Sequence, residues 1–158
     1  MPNSAGAAPK PPPPTWHHLA DPTPEKHLLW RRTRANLTEF VPCGTNWDAV
    51  CVHPLLYGLD ALAALGLSTR RGYWIVADHL RDQLYVLVQP GHARLFTGLD
   101  GIRVLGLGHQ ILMPSASSHG SQAADWIGTP RTTPLLVDAR AYDRKLRELA
   151  PLHSPAAP

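Results

Sequence analysis

Proline decides where this chain can be regular. Its ring holds φ at about −65° and it has no backbone N–H, so it ends helices and is kept out of central strands. The sequence holds 17 prolines in 158 residues, where average usage of about 5% would give roughly eight. Eight lie in residues 1–24, six in 25–150 and three in 151–158. That distribution excludes one uniformly folded chain. It predicts a single folded domain over 25–150, between a disordered proline-rich tail at 1–24 and a second disordered tail at 151–158. The PPPP run at 11–14 favours polyproline II, with docking into an aromatic groove as the alternative to plain disorder.

Inside the domain, proline and glycine punctuate a mixed pattern. EKHLLWRRTRANLT (25–38) reads as a helix opened by Pro24, with Leu29 and Trp30 as its packing face. Residues 43–46 read as a turn feeding a strand over Trp47–Val52. Pro54 starts a helix that carries Leu55, Leu59, Leu62 and Leu65 on one side and stops at Gly66. GYWIVA (72–77) and LYVLV (84–88) form a hairpin around a turn at HLRDQ. GIRVLG (101–106), GHQILMP (108–114) and Trp126-Ile127 follow as strands, with a polar loop at 115–122. A last helix is predicted to start at Thr133-Pro134 and to be stopped by Pro151. Leu135, Ala139, Tyr142, Leu146 and Leu149 are its apolar stripe. The expected fold is a small α+β domain, with a mixed or antiparallel sheet and flanking helices.

The charge balance is +3 overall but −1 over residues 41–130. The basic excess therefore sits in the flanks, unlike the patch of a strongly basic nucleic-acid binder. Arginine outnumbers lysine twelve to three. No apolar run reaches the ~18 residues of a membrane span, and the N-terminus lacks a secretory hydrophobic core. A cytoplasmic protein with reduced cysteines is the expectation.

Three stretches resemble the bifunctional DNA primase/polymerase family of the archaeo-eukaryotic primase superfamily, especially short actinobacterial relatives. GIRVLGLGHQILMPSA (101–116) is similar to that family's Gly-Ile-Asp-Val-Arg-Gly segment with its following strand and Pro-Ser. DQLYVLVQP (82–90) is similar to its His-Leu-Tyr-Phe strand, and WDAVCVH (47–53) lies where it has Asp-x-Asp. The resemblance covers about residues 41–130 and implies a primase/polymerase-like sheet. It also implies metal-holding acids, because phosphoryl transfer rests on positioning and metal-borne charge. This chain departs from the pattern there. Cys51 and His53 stand at the Asp-x-Asp positions, Gln83 at the phosphate-holding histidine, and Arg103 at the third acid. The resemblance therefore implies a degenerate active site, with no catalytic residue, no metal and no cofactor.

The expected ligand face comprises Asp48, His53, Gln83, Arg103 and His109. A nucleic-acid surface would use Arg70, Arg71 and His119, with Trp74 and Trp126 to stack bases. Residual nucleotidyl transfer would need realigned acids such as Asp48 and Asp100. Zinc on Cys43, Cys51 and His53, with His79 as a fourth ligand, is an alternative, although structural sites favour closer Cys pairs. His119 among Ser115, Ser117 and Ser118 reads as a polar loop, with no nucleophile elbow. The predicted function is binding or regulation, with a protein partner or, weakly, nucleic acid.

Overall fold

The computed structural model describes residues 9–32, 37–115 and 118–154. What the sequence leads one to expect of 1–8, 33–36, 116–117 and 155–158 lies outside the described residues. The architecture is α+β with antiparallel sheets. In chain order the elements are α1 (Trp16–Ala20), α2 (Pro24–Trp30), β1 (Thr38–Pro42), β2 (Asp48–Val52), α3 (Leu55–Leu65), β3 (Ile75–Asp78), β4 (Gln83–Val88), β5 (Ile102–Leu105), β6 (Gln110–Pro114), β7 (Asp125–Trp126) and α4 (Ala139–His153). Five strands run in the order β5-β2-β4-β3-β7, and β1 pairs with β6 in a separate ribbon.

Strand alternation divides the core in two. Val50 and Val52 of β2, Ile75 and Ala77 of β3, and Leu84, Val86 and Val88 of β4 join the cluster formed with α1, α3 and α4. Ala49, Cys51, Val76, Tyr85 and Leu87 point the other way, against Ile111 and Met113 of β6. Both faces of the sheet are therefore covered. That is why all five residues of β2 are buried and the strand reads as a continuous apolar run. Asp48, at the start of that strand, is 4% exposed.

Local signals place several elements where expected. Thr23 caps α2, with Pro24 in its first turn. Gly66 ends α3 with a left-handed φ of 69°, a conformation that favours glycine. Gly101 has φ +75°, and a Cβ there would lie 2.2 Å from the His53 carbonyl oxygen. Only glycine lets the start of β5 approach β2 so closely.

Three predicted boundaries are corrected. The helix expected over 25–38 ends at Trp30, and Thr38 already belongs to β1, paired with Pro114 of β6. The helix expected from Thr133 starts at Ala139, capped by the Asp138 carboxylate on Ala141 N–H at 2.8 Å. Residues before it stay extended because Leu135 and Val137 bridge to Tyr73 and Val88. Pro151 does not end that helix, which runs on to His153. There the His153 ring stacks on Tyr57 and its Nε2 lies 3.0 Å from Asp60 Oδ2.

The expected tail at 1–24 contains α1, capped by Thr15, and its Trp16 is 2% exposed in the core. Pro11 and Pro14 are also held, their carbonyls accepting from Arg70 Nη2 at 3.1 Å and Thr69 Oγ1 at 2.7 Å. Among the described residues no helix is long and apolar enough to cross a membrane.

Candidate functional site

The strand register assembles the candidate ligand face. Cys51 of β2 lies opposite Tyr85 of β4 on one side and Arg103 of β5 on the other. Gln83, two residues from Tyr85, shares its face and pairs across to Asp78 of β3. The Tyr85 hydroxyl donates to Gln83 Oε1 at 3.1 Å. The Arg103 guanidinium interacts with both the Cys51 thiol and the Tyr85 hydroxyl.

These side chains border a cleft of about 420 Å³ between the sheet and the β1–β6 ribbon. Arg81, Arg103, His109 and Phe40 stand at its mouth, over Asp78 and Tyr85. Phe40 is 69% exposed. Asp78 is buried and its charge is spent locally: Oδ1 accepts from the Leu80 and Arg81 N–H groups, both at 3.0 Å, and Arg81 Nη1 lies 3.4 Å from Oδ2. Asp78 thus closes the β3–β4 turn through its own carboxylate. The balance left at the cleft mouth is cationic.

Electrostatics keep the neutral members of this face neutral. Burial pushes the Cys51 thiol up, and the lowering influence of Arg103 does not outweigh it. Burial, with help from Cys51 and Asp78, pushes the Tyr85 hydroxyl up to about 12. The interaction with Cys51 raises Arg103 further above its ordinary value, so it stays charged.

The five expected ligand residues divide. Arg103 and His109 line the cleft, and Gln83 is bonded to its Tyr85 wall. His53 lies just past β2, with its Nδ1 2.9 Å from the Asp82 carbonyl and its N–H on Gly101 O. Asp48 is at the opposite end of β2, where Oδ2 accepts from Gly91 N–H at 3.0 Å. Asp100 precedes Gly101, at the His53 end. Asp48 and Asp100 are therefore separated by about five residues of strand, roughly 16 Å, too far to share one metal. Among the described residues no group of three or more His, Cys, Asp or Glu is placed to hold a metal ion. Cys43 and Cys51 are free thiols, both buried.

The expected nucleic-acid residues lie elsewhere. Trp74 and Trp126 meet edge-to-face, with ring centroids 5.3 Å apart. They line a separate, larger cleft of about 690 Å³ together with Trp47 and Arg131. Arg71 stands beside it, its carbonyl accepting from Arg131 Nε at 2.7 Å and its guanidinium 5.7 Å from the Tyr73 ring centre. Arg70 holds Pro11. His119 lies beyond Trp126, in a depression shared with Lys26 and Asp125.

Tyr85, Arg81, Trp47 and Arg131 line these two clefts and are not among the residues expected from the sequence. Tyr85 had a signal, since it alternates with Gln83 in one strand. Arg131 had none, because its neighbours on Arg71 and Trp74 are about sixty residues away in the chain. Comparison with protein-family models, curated proteins and solved structures finds no significant match.

Proposed function

We propose that this chain is a non-catalytic binding protein on a degenerate primase/polymerase-like sheet. Its Arg103 cleft would take a phosphate-bearing single strand. One observation carries the reading. Positions 51, 83 and 103, which the resemblance aligns with metal-holding and phosphate-holding residues, share one face of three adjacent strands. A thiol, an amide and a guanidinium stand there in place of acids and histidine. A guanidinium cannot ligate magnesium, but it is well suited to a phosphate oxygen. Arg81 and His109 flank it, and exposed Phe40 offers a stacking surface of the kind single strands use.

The test is fluorescence anisotropy of a labelled single-stranded oligonucleotide titrated with the full chain at several salt concentrations. Each neutralised phosphate contributes about −0.7 to the log–log salt slope for single strands. Contacts from Arg81 and Arg103 predict a slope of about −1.4, and Arg103→Ala should bring it to about −0.7. Salt-independent binding, or magnesium-dependent nucleotide incorporation by the purified chain, would reject the proposal.

A further inference from the structure

The larger cleft has a different chemistry from the Arg103 site. Three of the chain's five tryptophans, Trp47, Trp74 and Trp126, line it, with Met113 and Pro130 among its other walls. The rings are held in place. The Trp74 indole N–H donates to the Arg131 carbonyl at 2.7 Å, and Trp126 crosses the Trp74 ring at 69°. Trp47, 4% exposed, is fixed in the second core cluster. Rigid aromatic walls of this kind suit a ligand that brings rings of its own and loses little freedom on binding.

Charge decides between two such ligands. A nucleic-acid strand needs cations for its phosphates. Among the described lining residues the only cationic side chain is Arg131, and Glu39 at the rim offsets it. Glu39 is exposed on β1. A polyproline II segment needs no cations. It presents proline rings to aromatic walls, and its carbonyls require donors because proline supplies no N–H. Asn46, Thr129 and Thr132 line the cleft and can supply donors. A basic residue beside the prolines would meet Glu39.

The domain already holds a segment of this composition in another place. Pro11 and Pro14 of its own PKPPPPT stretch are bound through their carbonyls, by Arg70 and Thr69. Arg71, next in the chain, touches the Arg131 end of the tryptophan cleft.

We infer that the tryptophan cleft is a docking site for a proline-rich segment of a partner protein, with a lysine or arginine beside the prolines opposite Glu39. The site is separate from the Arg103 cleft and does not depend on it.

The experiment titrates the full chain with a capped synthetic peptide, PKPPPPT, and follows intrinsic tryptophan fluorescence. Saturable binding with a Kd below about 1 mM is expected, the range of weak but specific recognition. Trp126→Ala should weaken it about tenfold, as loss of an aromatic anchor does. Glu39→Lys, a change at an exposed position that leaves the core untouched, should weaken it about threefold. The same variant should bind PEPPPPT better than PKPPPPT. No saturation up to about 1 mM would overturn the inference. So would equal affinity in Glu39→Lys for both peptides. Salt-sensitive quenching by an oligothymidine that is lost in Trp126→Ala would also overturn it, giving the cleft to nucleic acid.

Discussion

At Cys51 burial and a neighbouring guanidinium pull the thiol in opposite directions, and burial prevails. Cys43 is likewise pushed up, to about 11, by burial and by the Asp48 carboxylate. The thiolate is the reactive form of cysteine, so neither residue is a nucleophile at neutral pH. Both should therefore resist an aromatic disulfide reagent at pH 8 in the native protein and react fully once guanidinium chloride unfolds it. Rapid labelling of either thiol before unfolding would contradict the burial assigned here. Individual residues of the ligand face were legible where alternation in a strand ties one to another, as it ties Gln83 to Tyr85. Asp48 was not legible. Its partner, the Gly91 N–H, is 43 residues away, and no local pattern announces such a bond.

At the scale of elements, local capping chemistry was the readable part. Pro54 and Gly66 bracket α3, and Thr23 with Pro24 opens α2. What could not be read was set by tertiary pairing. The stretch before Ala139 is kept extended by its bridges to Tyr73 and Val88. Helix α1 is only five residues long, too short to be stable alone. It exists because Trp16 fills the space between the sheet and α3, edge-to-face with Tyr73 at 6.5 Å. Proline-rich composition around it hides that role. Truncating a buried tryptophan costs about 3–5 kcal/mol. The Trp16 Nε1 is buried without a hydrogen-bond partner among the described residues, which lowers its net worth. Trp16→Ala should therefore destabilise the protein by about 3 kcal/mol in urea unfolding. An unchanged midpoint would mean that α1 is dispensable and that the domain begins after it.

For the molecule as a whole, a five-stranded sheet covered on both sides buries weakly acidic groups on each face. Cys43, Cys51 and Tyr85 lie under the β1–β6 ribbon. Tyr57 of α3 and Tyr142 of α4 are buried where the helical layer meets the other face. Every one of these groups is raised above its ordinary value, with burial as the largest cause. In the folded chain Cys43 holds its proton to about 11, against 9.0 normally. Tyr85 holds its proton to about 12, against 10.0. Between those limits the unfolded chain releases protons that the native chain keeps. The native state then binds more protons, and stability falls as pH rises. The stabilisation is complete below pH 9 and is lost progressively as pH rises from about 9 to about 12. Alternate residues of β2, β3 and β4 belong to both cores, so the loss should be one cooperative transition rather than the loosening of one layer. Urea unfolding followed by tryptophan fluorescence and by far-ultraviolet circular dichroism, at pH 8, 10 and 11, measures this. Midpoints should fall at each step and coincide between the two probes. A flat profile would mean that these groups are hydrated in the folded protein. Separated midpoints would mean that the ribbon and the helical layer unfold independently.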